Sequence, residues 1–270
     1  MALSRVDNSG KSCFVLIEEK LTKEVAPEKK GLTVRIGVVS PDDGVNDDEY
    51  YHYLPAGVTL LWTRFRTPQR FDPISVEMVA SYGALDLVRE AALTLRITRP
   101  HVTLFACNSC SFVHGLEGDQ KVRNVIAEAA DCEATSVTEA EVEALRVLGV
   151  RRVAVGAPYS EEVTGKLVNY LRDCDFTVTG SACLGLTTEW QIGNSPPAVW
   201  DGLAKQVNTT KAEAVLLACS GIRTAAIMES LEKDLQKPVV SAPAASVWRC
   251  LRLAGLDSQV AGRGTLLDKY

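Results

Sequence analysis

From residue 33 onward, short apolar runs alternate with longer stretches of helical periodicity. The runs predict strands over 33–41, 58–64, 102–106, 151–157, 176–179, 214–218 and 238–242. Helices are predicted over 75–99, 118–130, 135–148, 161–174, 196–208, 224–235 and 244–254. In the first of these, Val76, Val79, Leu85, Val88, Ala92 and Leu95 recur at helical spacing before Pro100. In 135–148, Thr138 reads as an N-cap, Glu141 three residues later completes a capping box, and Gly149 closes the helix. Strands with so few polar positions, separated by helices, imply parallel sheets covered on both faces.

The pattern occurs twice. The run Val102 to Ala106, leading into Cys107, Asn108 and Ser109, is echoed by Ala214 to Ala218, leading into Cys219, Ser220 and Gly221. The run from Thr33 to Pro41 is likewise echoed from Val150 to Pro158. The two prolines lie 117 positions apart and the two cysteines 112 apart, which marks two related halves. The expected architecture is α/β: two pseudo-symmetric, doubly wound parallel-sheet domains with an active site in the cleft between them. Their expected bounds are 32–137 plus 241–270 for one and 138–240 for the other, after an N-terminal extension over 1–31. Ligands of open α/β sheets bind at the carboxyl ends of the strands, where both cysteines fall.

Composition narrows the function classes. The 270 residues are 46% hydrophobic and 23% charged, an ordinary globular balance. A net charge of −5 with scattered Lys and Arg argues against nucleic acid as a partner. No apolar run approaches the roughly 20 residues of a membrane span, and Cys13 to Ile17 is too short for a signal peptide core. A cytoplasmic chain is expected, its eight cysteines present as thiols. The acidic run from Asp42 to Glu49 reads as a solvated loop or helix start.

The cysteines carry the candidate chemistry. One thiolate can remove a proton from a carbon while an opposed thiol delivers one to the other face. A thiol titrates at about 8.5, and a following helix N-terminus is expected to lower that value. Asn108, Ser109, Ser220 and Gly221 offer small side chains and main-chain N–H groups to a carboxylate or enediolate, and Tyr159 adds a hydroxyl. Arg64, just after the second strand, is a candidate anion contact. Competing readings are buried packing cysteines, a redox pair in Cys107 and Cys110, and a zinc cluster with His114.

At these residues the chain resembles the aspartate/glutamate racemase superfamily, within it the maleate cis-trans isomerase and arylmalonate decarboxylase group. Ala106 to Ser109 is similar to its first cysteine signature, and Cys219 with Ser220 to its second. Asn108 to Phe112, Leu145 to Ala154, Tyr159 with Glu161 to Val163, and Pro238 to Gly255 extend the likeness over roughly 33–258. The resemblance implies a cofactor-free, metal-free, often oligomeric enzyme for a small carboxylate such as a dicarboxylate or amino acid. It implies Cys107 as nucleophile and Cys219 as proton donor in cis-trans isomerisation, or the pair as exchanging acid and base in racemisation. Decarboxylase relatives lack the first cysteine. Where maleate isomerases carry an Asn shortly after the first-strand proline, this chain reads Asp42, Asp43 and Gly44. The alternatives are an arylmalonate-type decarboxylase and a non-catalytic carboxylate-binding protein.

Overall fold

Among the described residues, eight parallel strands form two four-stranded sheets. The structure is a computed structural model and describes residues 33–67 and 73–270; the expected N-terminal extension and the Cys13 to Ile17 run lie outside the described residues. The first sheet contains β1 (Val34–Pro41), β2 (Val58–Phe65), β3 (Val102–Phe105) and β4 (Glu133–Ser136) in the order β2-β1-β3-β4. The second contains β5 (Arg152–Ala157), β6 (Thr177–Cys183), β7 (Ala214–Leu217) and β8 (Val239–Ser241) in the order β6-β5-β7-β8. The two orders are equivalent. The central pairings are equivalent too, with Ile36 opposite Val102 in one sheet and Val153 opposite Ala214 in the other. This is the doubly wound parallel architecture that the sequence repeat implies.

Between the strands of the first half lie α1 (Asp47–Tyr51), α2 (Val76–Ser81), α3 (Leu85–Arg96), α4 (Asn108–Phe112) and α5 (Gly115–Ala130). Next come α6 (Val137–Val147), α7 (Glu161–Asp173), α8 (Glu189–Gly193), α9 (Pro197–Val207) and α10 (Met228–Leu235). After β8 come α11 (Ala242–Leu253) and α12 (Thr265–Lys269), and α11 packs on α6, β3 and β4. Among the described residues no helix is long and apolar enough to cross a membrane.

The central strands β1, β3, β5 and β7 are buried on both faces, so helices must approach closely. At Gly37 of β1 a Cβ would stand 2.9 Å from Leu95 Cδ1, and at Gly156 of β5 the same distance from Leu203 Cγ. Both glycines let a helix seat on the sheet.

The structure corrects several predicted boundaries. The stretch 75–99 holds two helices, broken around Gly83, and Ser75 caps the first by accepting from Met78 N–H at 3.2 Å. Residues 133–136 are a strand, and Ser136 rather than Thr138 caps α6, accepting from Glu139 N–H at 3.1 Å. The helix expected from residue 224 begins at Met228.

Candidate active site

The carboxyl ends of both sheets open onto one cavity. Ser40, Pro41, Asp43 and Asn46 line it from the segment after β1, and Ala106, Cys107 and Ser109 from that after β3. Tyr159 enters after β5, Ser220 and Gly221 after β7, and Glu189 from the first turn of α8. Tyr50, Trp62, Ile74, Met78, Val79 and Tyr82 form its apolar side. The fold places these residues by a simple rule: each parallel strand delivers its last residue and the following turn to the same end of the sheet.

Cys107 lies at the exit of β3, immediately before α4, and is nearly buried. It is disulfide-bonded to Cys110, with the two Cα atoms 5.4 Å apart. This corrects the expectation that every cysteine is a thiol; the helical turn of α4 brings the two sulfurs together. Among the described residues Cys107, Cys110 and His114 are not gathered into a group that could hold a metal ion, and His114 Nε2 lies 3.1 Å from Ala80 O.

Cys219 occupies the equivalent exit of β7, buried in the cavity wall behind Tyr159 and Gly221. Its φ is +103°, a strained value for a residue with a Cβ. Gly221 N–H donates to its Sγ at 3.3 Å, and the Tyr159 hydroxyl also donates to that sulfur. Burial nevertheless holds the thiol well above its ordinary pKa, with the nearby Glu189 carboxyl adding to the effect. The expected lowering by a helix N-terminus is thus reversed at Cys219, because α10 starts nine residues later. Cys219 is a protonated thiol at neutral pH.

Asn108 ties the cysteines together from behind the cavity. Its Oδ1 accepts the main-chain N–H of Cys219 at 2.9 Å. Its Nδ2 donates to Thr138 Oγ1 at 3.0 Å and to Glu141 Oε2 at 2.9 Å, and Thr138 Oγ1 donates back to Asn108 O at 3.2 Å. Thr138 and Glu141, which read as a capping box, are therefore inward-facing supports of Asn108. Glu141 is fully buried, and its Oε1 has no partner among the described residues. Burial raises its pKa to about 8, against which the Asn108 hydrogen bond acts.

The acidic run is a clamp rather than a solvated loop. Glu49 is buried, and its Oε1 accepts Thr224 N–H and Ala225 N–H, both at 2.7 Å, and the Tyr53 hydroxyl at 3.1 Å. Asn46 Nδ2 donates to Ser220 O at 3.0 Å, and Asp48 pairs with Arg223 at 2.6 Å. Segment 220–225, which follows Cys219, is thereby fixed from the opposite half. Arg64 is absent from the cavity lining. It binds Asp47 at 2.6 Å and Pro41 O at 2.8 Å, so it buttresses the loop after β1.

Of the residues singled out in the sequence, Cys107, Ser109, Tyr159, Ser220 and Gly221 line one cavity. Cys219 and then Asn108 form the layer behind it. Asp43, Glu189 and Glu141 were not anticipated. Asp43 lies two residues beyond the end of β1, a position that signals cleft exposure. Burial raises the pKa of Asp43, and burial with the nearby Asp43 charge raises that of Glu189 to about 8.

A family model described as arylmalonate decarboxylase matches residues 75–267. The chain is 28% identical over 206 residues to the arylmalonate decarboxylase of Bordetella bronchiseptica, covering 75% of this chain and 82% of that protein. It is 27% identical over 241 residues to a maleate isomerase of Nocardia farcinica, covering 86% and 95% respectively. The structure of a Nocardia farcinica maleate cis-trans isomerase superposes with a TM-score of 0.79 at 26% identity, covering 87% of this chain and 98% of that one. A variant of that enzyme with a covalently bound succinylcysteine intermediate superposes equally well, with a TM-score of 0.79 at 25% identity over 88% and 99%. The matched span covers most of the chain, both cysteine turns included, and on it the chain belongs to the arylmalonate decarboxylase family.

Proposed function

We propose that this chain is a cofactor-independent isomerase that uses Cys107 and Cys219 on a small carboxylate. The observation that carries the reading is the pair of equivalent strand exits, each ending in a cysteine, at one cavity. Cys107 lines the cavity, and Cys219 touches the lining residues Tyr159 and Gly221. We read the halves as 32–137 plus 241–270 and 138–240; the packing of α11 on β3 and β4 supports that division.

The two cysteines suit different roles. Once a dithiol has reduced the disulfide to two thiols, Cys107 as thiolate adds through Sγ to the alkene carbon β to a substrate carboxylate. The π pair moves to the neighbouring carbon and is protonated by the Cys219 thiol. The former double bond is now single and rotates. Cys219, now a thiolate, takes a proton back, the C–S bond breaks toward sulfur, and Cys107 leaves as thiolate with the alkene in its trans form. The high pKa of Cys219 supports its starting as the acid. The covalent succinylcysteine reported for the Nocardia enzyme is the analogous adduct in that protein. Ser109, Ser220 and Gly221 line the cavity beside the cysteines and are proposed to hold the substrate carboxylate, with Tyr159 holding Cys219.

Proton NMR in deuterium oxide tests this on reduced protein with small unsaturated, amino and hydroxy carboxylates. A trans-alkene signal or deuterium at a stereocentre, lost in both Cys107→Ala and Cys219→Ala, is the expected result. Turnover retained in either variant sinks the two-cysteine reading. The family match favours a second reading, decarboxylation. It predicts carbon dioxide release that requires Cys219 and survives Cys107→Ala.

A further inference from the structure

Among the described residues, the lining of the proposed catalytic cavity carries carboxyl groups and no basic side chain. Asp43 and Glu189 face it from the two halves; Asp47 lines it too but is paired at 2.6 Å with Arg64, which also acts on Asp43 from outside the lining, and no Lys, Arg or His is among the described residues that line it. Asp43 Oδ2 accepts one hydrogen bond, from the Tyr82 hydroxyl at 2.9 Å. Glu189 accepts none among the described residues. Its Oε2 lies beside Gly221, 3.0 Å from the point a Cβ there would occupy, so the carboxyl sits next to the Cys219 turn. Thr188, capping α8 by accepting from Gln191 N–H at 3.2 Å, fixes the turn that delivers it.

Two carboxyl groups left together in a sparsely solvated cavity are unfavourable neighbours as ions. A dicarboxylate would bring a further negative charge to the same place. A positive group set between them would instead find two acceptors already positioned, with Asp43 held by Tyr82. The hydroxyls of Ser109 and Ser220, nearer the cysteines, remain for a carboxylate. We propose that Asp43 and Glu189 are specificity-determining residues that receive a cationic group, so that the preferred substrate is a small carboxylate bearing an ammonium substituent rather than a dicarboxylate.

The proposal rests on the small-carboxylate reading above and names its substrate class. Glu189 supports it in a second way. A carboxyl held near pH 8 when the site is empty ionises when a cation arrives, so binding at pH 7 releases a proton.

Calorimetric titration of the reduced full-length chain at pH 7 tests it with 2-aminobutanoate, 4-aminobutanoate, butanoate, succinate and maleate. One aminobutanoate is expected to bind at least tenfold more tightly than butanoate and than either dicarboxylate. Glu189→Gln and Asp43→Asn should each narrow that preference at least tenfold, and Glu189→Gln should remove the proton release. Glu189→Lys should turn the preference toward succinate. Tighter binding of succinate or maleate by the wild type overturns the proposal. So does an aminobutanoate affinity no better than that of butanoate, or a preference unchanged in folded variants. If dicarboxylate binding is tighter and weakens as pH rises through 8, the carboxyls act as protonated donors, and the proposal is equally overturned. The wild-type ranking decides the matter even where a variant fails to fold. Binding is read without turnover, so loss of the isomerase reading in the deuterium experiment leaves this result standing on its own.

Discussion

The side-chain oxygen of Asn108 holds the main-chain N–H of Cys219 at 2.9 Å, so the residue after one cysteine positions the backbone of the other. Asn108→Ala would leave that buried N–H without an acceptor and strip Glu141 and Thr138 of their donor. The expected loss is about 2–3 kcal/mol of stability, measured by urea unfolding. Because the change displaces Cys219, the proposed acid, rather than a proposed substrate contact, kcat is expected to fall at least tenfold with KM changed much less. A loss confined to KM would show that Asn108 contacts substrate instead.

Cys107 bonded to Cys110 has no free sulfur for addition or proton transfer. Oxidised protein is therefore expected to be inactive until a dithiol supplies two electrons and two protons to the disulfide, giving two thiols. Cys110→Ser removes the partner and should make activity independent of reductant. Initial rates with and without dithiothreitol, in wild type and variant, check this; equal wild-type rates would contradict it.

Glu141 makes stability depend on pH in a defined direction. Its pKa is about 8 in the folded chain against an ordinary 4.5, so between those values the native state binds the extra proton. The stability it permits is present below the unfolded pKa and declines as pH rises toward 8. Glu141→Gln keeps the shape without the charge. Its melting temperature should exceed that of wild type at pH 8, with the gap closing toward pH 5. Thermal scans across that interval decide it, and parallel curves would rule it out.

Glu49 satisfies two main-chain N–H groups with one oxygen. Glu49→Ala is expected to destabilise the chain by about 3 kcal/mol, while Glu49→Gln, which keeps an acceptor at that point, loses less than half as much. Chemical denaturation gives both values. Similar losses for the two would place the effect in the charge rather than the acceptor.

The strands and the two cysteine turns were legible because strands covered on both faces show as unbroken apolar runs, and their exits follow directly. The supports of the site were not. Thr138 and Glu141 have the spacing of a cap, and the same three-residue spacing also puts two side chains on one face of a helix, here toward Asn108. Ser136 had already taken the cap. The run Asp42 to Glu49 looks solvated by composition. Its partners, Arg64, Arg223 and the N–H groups of Thr224 and Ala225, lie far along the chain. Those same bonds to Glu49 hold Thr224 and Ala225 outside the helix that their sequence suggests. Glu189 carried no local signal, because its neighbours in the cavity come from three other loops.

The φ of +103° at Cys219 sets durability against chemistry. Glycine would take that conformation at ease, whereas a residue with a Cβ holds it at a penalty of about 1–3 kcal/mol. Under the proposed two-cysteine mechanism, variants recovered only for heat resistance or high yield will tend to exchange this position for glycine and come back well folded and inert. A hardier version of the chain has to be sought at sites away from the β7 exit, with the strained thiol kept as it is.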